Sequence, residues 1–570
     1  MLRLVVAVLL GCTLAICAGA GAAPKASSPL VVSATGNDHN PCTFAAPCLT
    51  FDHAYHVASP GQVVQVAGGT YPVEKMTGDP SKAGASANVV FESIPGQLAV
   101  VGGIRGSGIS HVTFLGGSHH DLTPATAGIT LKPNPTAMDT GGDFDVYDCS
   151  TAVEVANMDM RQFGINGSDH ITVAGGTVGG YDNTPGDSFV GGPYGGRTAA
   201  GCTAEVPSNI LITHVLFHDV LRTLRPKAHP DCVQFYGTAG TVVDGNVFVR
   251  CGTSDLLARP ATNIWRQNTI DNLVIQNNFF TPAVAGGKVL GLGTSTDSCG
   301  KIVVAYNTSP AGLSAFACGH YAGLQIVGNV QGGLNKYTCA QALKKATLYA
   351  YNVVLGSGGS AVQCGQSSFV SSDPGFLNQA AANFRIGHGS PLTDRGDPTF
   401  HPATDIDGRP RPLRAAPDAG AYEWDVPSLK LGTAIGGARM GMSRATVEAF
   451  YGAPRRVSSV AVHGKPAGQK LTAALYDLHG GILRVFYSAA GTVVGLSTTS
   501  SYYSGNSGLG VGAPVASFAT IAHAPWQKCR AARATSAAGK VVYVGLAGGH
   551  PAGKTISSLA FLPPHVAPCK

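Results

Sequence analysis

The sequence predicts a mainly β chain, a parallel β-helix followed by a small α+β domain. Three observations lead there. Asn recurs at 246, 278, 307, 329 and 352, each following paired apolar residues such as Val242-Val243, Val274-Ile275, Val303-Val304 and Ile326-Val327, and His214 fills the same place one unit earlier. The separations of 32, 32, 29, 22 and 23 residues have a floor near 22, as expected for a coil of fixed cross-section whose turns carry insertions. Charged residues make up only 12% and Gly 76 of 570, which favours strands and tight bends over helices or disorder. Asn stacked at one bend of each coil would form a hydrogen-bonded ladder.

The chain opens with a basic Arg3, an apolar run and small residues in A-x-A order at Ala20 and Ala22, so residues 1–23 are expected to be a secretory signal peptide. A lipoprotein reading through Leu9-Leu10-Gly11-Cys12 is the alternative, and no later stretch reaches transmembrane length. Twelve Cys follow the signal, with no close C-x-x-C pair, so disulfides are expected in an extracytoplasmic setting, secreted or at the cell envelope. Neighbour pairing suggests Cys42 with Cys48, Cys232 with Cys251, and Cys529 with Cys569. Of Cys318, Cys339 and Cys364, which share a place in successive units, only one pair can bond.

Residues 30–110 read as an N-terminal cap with the first coils: a helix from Phe51 to Ala58, a first strand at Val63 to Val66, and a turn at Gly68 to Tyr71. Residues 111–427 are the expected solenoid. The Gly-, Pro- and Tyr-rich stretch from Gly179 to Ala204 reads as a loop projecting from one face. Residues 428–570 carry 14 Lys and Arg against two acids, a net +12, while the remainder is −6, which marks a boundary near Pro427. This basic segment holds a helix capped by Ser443 and closed by Gly452-x-Pro454, strands at Leu471 to Tyr476, Leu483 to Tyr487 and Val493 to Ser497, and a fainter second copy with strands at Val541 to Leu546 and Ile556 to Phe561.

Two resemblances sharpen the reading. The stretch Ser33 through Tyr71, with Gly36-Asn37-Asp38 and Pro60-Gly61, resembles the first coils of secreted pectate-lyase-like β-helix proteins. Ser390-Pro391-Leu392, Asp405-Ile406-Asp407-Gly408-Arg409-Pro410 and Pro417-Asp418-Ala419-Gly420-Ala421-Tyr422-Glu423 resemble the closing coil of bacterial right-handed β-helix proteins. The resemblance spans roughly residues 30 to 425 and implies a right-handed solenoid; it specifies the reaction weakly. The Gly441-Met442-Ser443 and Gly452-x-Pro454 elements resemble the small domain of SmpA/OmlA-type outer-membrane assembly lipoproteins, which implies a contact module without chemistry of its own.

The densest polar cluster supplies the candidate site. Arg225, Lys227, His229 and Asp231 are followed one coil later by Asp255, a set suited to catalysis. Asp231 and Asp255 are 24 residues apart, near one turn, so their carboxylates are expected to stack on adjacent coils about 5 Å apart. Close carboxylates raise one another's pKa, and a neighbouring cation stabilises a negative intermediate. Polyuronate elimination and glycoside hydrolysis are both within the chemistry of this set. Tyr181, Tyr194, Arg197, Arg222, Gln234 and Arg259 are the expected substrate contacts. The structural alternative has His229 and Asp231 bonding a loop, with Gln234 in a polar ladder. Asp139, Asp143, Asp145 and Asp148, or Asp405-x-Asp407-Gly408, offer calcium ligands, but a solvated loop and a turn are the expected readings and no cofactor is required. The functional expectation is a monomeric protein that binds, and by a lyase or glycoside hydrolase reaction cleaves, extracellular polysaccharide, held by its basic tail near an anionic envelope polymer rather than nucleic acid. Its rival is a non-catalytic, disulfide-stapled surface scaffold or adhesin binding a glycan or protein.

Overall fold

The coils build three parallel sheets, a complete coil contributing one strand to each. The structure is a computed structural model that describes residues 28–570 except 119–124, 132–141, 183–186, 188, 193–205, 222, 224–226, 261–269, 282–287, 314–315, 335, 357–360, 379–382, 387–389, 414, 425–432, 436–437, 452–453, 462–469, 479–480, 500–530, 536–540, 547–555 and 562–570. The expected signal peptide and Cys529 with Cys569 lie outside the described residues. Sheet one holds 12 strands, from Leu30–Val32 to Leu348–Ala350. Sheet two holds nine, from Asp159–Met160 to Phe369–Ser371, and sheet three nine, from Gly69–Thr77 to Lys288–Leu292. One turn runs Asp169–Ala174, Thr177–Asp182, Phe189–Gly191 and back to sheet one at Leu211–Thr213. This is a parallel β-helix, right-handed as parallel crossovers are.

The period-two alternation of each strand sends one face inward. Val64 and Val66 of Val63–Val66 are buried while Val63 and Gln65 are partly exposed. Inward Phe residues stack from coil to coil through Phe51, Phe91, Phe114, Phe144, Phe163 and Phe189, with neighbouring ring centroids 5.2 Å apart. Offset and edge-on ring pairs of this kind add to the area they bury.

The Asn ladder is present and runs one way. The Asn278 backbone N–H donates to Asn307 Oδ1 at 2.9 Å, and the Asn307 N–H donates to Asn329 Oδ1 at 2.9 Å. The series continues from Asn246 to Asn352 and ends on Ser368. His214 is not a member, contrary to expectation. Asn246 Oδ1 accepts from Val215, so Val215 holds the ladder place, and the His214 ring lies against Gly245 in the left-handed position just before it.

Other expectations need correction. The first strand of sheet one is Leu30–Val32, ahead of Val63–Val66, and the expected turn at Gly68 to Tyr71 falls largely within the strand Gly69–Thr77. The helix over the cap is α1 (Phe51–Val57), capped by the Thr50 hydroxyl. Helix α2 (Lys336–Lys345) is inserted in a coil beyond the last strand of sheet three, and Cys339 ties it to Cys364. The segment expected to close the solenoid folds back along it. Gly420 N donates to Gly328 O, Ala421 N to Thr308 Oγ1, and Asn277 Nδ2 to Thr404 O, so residues 390–424 strap several coils. Arg411 is buried within this strap against Glu423, at 2.7 Å, and over the Tyr306 ring. Asp405 Oδ1 accepts from the N–H of Asp407 and of Arg409, which makes that motif a turn.

Beyond the strap, α3 (Arg444–Tyr451) precedes a seven-stranded antiparallel sheet. Its strand order is Arg456–Ala461, Lys470–Leu478, Gly481–Tyr487, Val493–Thr498, Ile556–Phe561, Val541–Leu546, Ala531–Thr535. Among the described residues no helix is long and apolar enough to cross a membrane.

Candidate functional site

The polar cluster sits where sheet two turns into sheet three. Strand Asp231–Phe235 pairs with Ser254–Ala258 in the register Asp231 to Ser254 and Val233 to Leu256. The carboxylates of Asp231 and Asp255 are therefore one residue out of register, and the expected direct stacking does not occur. Val233 and Leu256 point into the core, so Asp255 alternates to the outward face of its strand while Asp231 begins its own strand on the inward side. The Cys232–Cys251 disulfide pins the start of this strand to the end of the neighbouring strand in sheet two, as expected from the spacing.

The corner is layered by accessibility. The side chains of Asp231 and Asp255 are wholly buried, and among the described residues no oxygen of either carboxyl has a hydrogen-bond partner. In front of Asp231, His229 Nδ1 lies 3.3 Å from its Oδ2, and the His229 side chain is 56% exposed. Lys227 is exposed and Arg259 half-buried. Gln234 is buried on the same strand, which takes it off any solvent-facing contact surface.

A third carboxylate, unremarked in the sequence, completes the cluster. Continuing the register of Phe189 with Val233 back by two residues sets Asp187 beside Asp231, and the Asp231 backbone N–H donates to Asp187 Oδ1 at 2.8 Å. Gln162, one coil earlier, donates to the Asp187 carbonyl at 2.6 Å. Burial pushes the Asp187 carboxyl up to about 7, with the charge of Asp231 adding to the rise. Burial likewise raises Asp231 to about 7, against the lowering effect of Ser254 and Arg259. Asp255 is held well above the ordinary range by burial first and then by Asp231. Carboxyls titrating near neutrality can exchange protons at working pH, the property asked of acid–base groups.

The sheet-two side of the corner carries its own cluster. Gly180, Asp219 and Arg250 follow one another on successive coils at one register position, and all three have positive φ. Two of them are not Gly, and such left-handed residues re-aim side chains at the price of strain. Asp219 accepts His218 Nδ1 at 3.1 Å and pairs with the exposed Arg250 of the next coil. Further along sheet three, Arg161 Nε and NH2 grip the two oxygens of Asp143 at 3.0 and 3.1 Å. This ion pair, rather than a solvated loop, is what Asp143 serves.

Of the expected site residues, the structure brings together His229, Asp231, Asp255 and Arg259, with Lys227 exposed on the adjoining loop. Arg222, Arg225, Tyr194 and Arg197 lie outside the described residues, as does the side chain of Tyr181, whose backbone lies in the strand Thr177–Asp182. The stretch expected to be one projecting loop from Gly179 also holds the strand Phe189–Gly191. Four disulfides join described residues: Cys42–Cys48, Cys232–Cys251, Cys299–Cys318 and Cys339–Cys364.

No family model matches the sequence, and no curated protein does. Among solved structures the chain is similar to pectate lyase Pel9A, at 14% identity over 70% of this chain and 97% of that one with a TM-score of 0.37. It is also similar to XylC in complex with xylose, at 10% identity over 70% and 98% with a TM-score of 0.32, and to the siphovirus 9NA tailspike receptor-binding domain, at 10% over 90% and 96% with a TM-score of 0.24.

Proposed function

We propose that this chain is an extracytoplasmic β-helix protein that binds polysaccharide along the corner between sheets two and three and cleaves it there by proton transfer. The observation that carries the reading is the layering of the corner: bases and cations face solvent while the carboxylates lie sealed behind them. The buried Asp231 carboxyl, 3.3 Å behind the exposed imidazole, limits which way the ring can face, so His229 is assigned as the proton-transfer group and Asp231 as the residue that positions it. Asp187 fixes the backbone of Asp231.

This arrangement favours elimination over hydrolysis. Glycosidases need two carboxyl groups flanking the scissile bond within reach of the sugar, and Asp231 and Asp255 are inaccessible to a polymer. Elimination needs a base on the proton beside the uronate carboxyl and a cation against that carboxyl. His229 or Lys227 can take the proton and Arg259 can neutralise the charge. The C–O bond to the leaving sugar breaks as the C=C bond forms, and the departing oxygen takes up a proton from the protonated base or from water, so one product gains a reducing end and the other an unsaturated ring.

The test is reducing-end release and ultraviolet absorbance of unsaturated product from a panel of polyuronates and neutral glycans. The wild type should turn over a uronate polymer, and His229→Ala should lose roughly 10²–10⁴-fold in kcat. New ends without unsaturation would place the chain among hydrolases. Silence across the panel with retained binding would favour the non-catalytic scaffold, a reading that the complete burial of both carboxylates also supports.

The net +12 of residues 428–570 supports a role for the tail in holding the protein against an anionic envelope polymer. Cosedimentation with such a polymer, lost as salt is raised, is the corresponding measurement.

A further inference from the structure

Among the described residues, the antiparallel sheet of the tail ends on a strand whose one edge protection is the charge of Arg456 at its first residue. Arg456–Ala461 is the terminal strand, paired on one side with Lys470–Leu478 in an unbroken register from Arg456 with Leu475 to Ala461 with Lys470. Beyond Arg456 it contains no charged residue, no Pro and no bulge, the devices that natural edges use against a further strand. Arg456, Val457, Ser458 and Ser459 are all exposed, and Val457 is 46% exposed although its neighbour across the ladder, Ala474, is buried. An apolar residue left open at a strand edge, with a row of backbone donors and acceptors beside it, is a template for strand addition.

We infer that Arg456–Ala461 is a docking edge that takes an acidic, extended segment of a partner protein as an eighth strand. Charge selects this occupant. The tail carries 14 basic residues against two acids, so a second copy of the chain would bring two domains of net +12 together. An acidic strand is drawn to the same field.

The two faces of the edge set the pattern of the incoming strand. Residues 456, 458 and 460 lie on one face, where Val460 packs against Leu471 and Phe486. Residues 457, 459 and 461 lie on the other. A partner with glutamates on the Arg456 face and valines on the Val457 face meets the cation with a carboxylate and covers the open Val side chain. Main-chain bonds supply the affinity and the alternation supplies the choice of partner.

The inference rests on reading the tail as a contact module and is independent of any chemistry at His229. Its test uses the full chain and a labelled, end-capped ten-residue peptide of alternating valine and glutamate, followed by fluorescence anisotropy. Two control peptides accompany it: one N-methylated on alternate amides, and one with lysine in place of glutamate. The glutamate peptide should bind. N-methylation should weaken binding at least about tenfold, since several main-chain hydrogen bonds are lost. Arg456→Glu, an exposed substitution that leaves the fold intact, should weaken it severalfold, and the lysine peptide should not bind. Amide hydrogen exchange should slow in residues 456–461 when the glutamate peptide is added. Equal binding of the N-methylated peptide, absence of binding, or protection elsewhere in the chain would each overturn the inference. Cosedimentation of the tail with an anionic polymer, if retained in that case, would leave the contact-module reading standing and remove the edge alone.

Discussion

Replacing Asn307 by Ala should cost this solenoid a large part of its stability through groups that Asn307 itself does not own. Its Oδ1 accepts from the Asn278 backbone N–H at 2.9 Å and from Asn278 Nδ2 at 3.0 Å, and its Nδ2 donates to Ile275 O at 2.9 Å and to Asn329 Oδ1 at 3.0 Å. Every one of these groups is buried. Truncation orphans the Asn278 N–H outright, at about 1–3 kcal/mol, and weakens the satisfaction of two or three further groups at roughly 0.5–1 kcal/mol each. The sum, about 2–6 kcal/mol, is a large fraction of a typical folding free energy. Asn307→Asp should be worse at neutral pH than at acid pH, because a carboxylate has no proton for Ile275 O or Asn329 Oδ1. Urea unfolding followed by circular dichroism reads the loss as a lower midpoint at unchanged slope. Amide exchange then shows whether opening is centred on the coil holding Asn278 and Asn307. A loss below about 0.5 kcal/mol for Asn307→Ala, the range of ordinary surface substitutions, would refute the ladder as a stabilising element.

Three further outcomes follow from the same reasoning. Burial raises both Asp187 and Asp231 from 3.8 to about 7, so the folded state binds protons there that the unfolded state releases; stability should fall as pH rises from about 4 to 7, and the Asp187→Asn/Asp231→Asn double variant should flatten that slope in thermal melts. Removing the Cys339–Cys364 bridge, which closes a separation of 25 residues, should cost about 3.5 kcal/mol on the chain-entropy account, read from the urea midpoint of the Cys339→Ser/Cys364→Ser variant. Arg411→Met leaves Glu423 buried without its cation and should cost about 3–5 kcal/mol, with limited proteolysis cutting first within residues 390–424.

What the sequence revealed and what it hid have separate physical causes. The Asn ladder was legible because a buried amide that bonds its own equivalent one coil away must recur in register. His214 was misassigned because the left-handed position directly precedes the ladder position, and a polar residue such as His214 or Asn277 can stand in it. The neighbouring coils of Asp231 and Asp255 were legible from the spacing of 24, but the register was not, since one residue more or less in the turn between Cys251 and Ser254 shifts every side chain to the other face. Asp187 stayed hidden because it lies 44 residues before Asp231, twice the coil floor, with an insertion between. The Cys pairs at 42–48 and 232–251 followed from proximity in sequence. The strap did not, because coil periodicity is local and says nothing about a segment that runs back along the outside. In the tail, Val541–Leu546 and Ile556–Phe561 were read directly, whereas Arg456–Ala461 lacks the apolar alternation that announces a strand.

The central claim is that polysaccharide engages the corner between sheets two and three, whatever reaction follows. Affinity electrophoresis through gels containing a polyuronate, a neutral glycan or no polymer tests it without requiring turnover. The account predicts that the wild type is retarded in the polyuronate gel alone, and that Lys227→Ala/His229→Ala, a pair of exposed side chains, migrates as it does without polymer. Equal retardation of the wild type and this variant would contradict the assignment of the corner, and free migration of both in every gel would contradict polysaccharide binding itself.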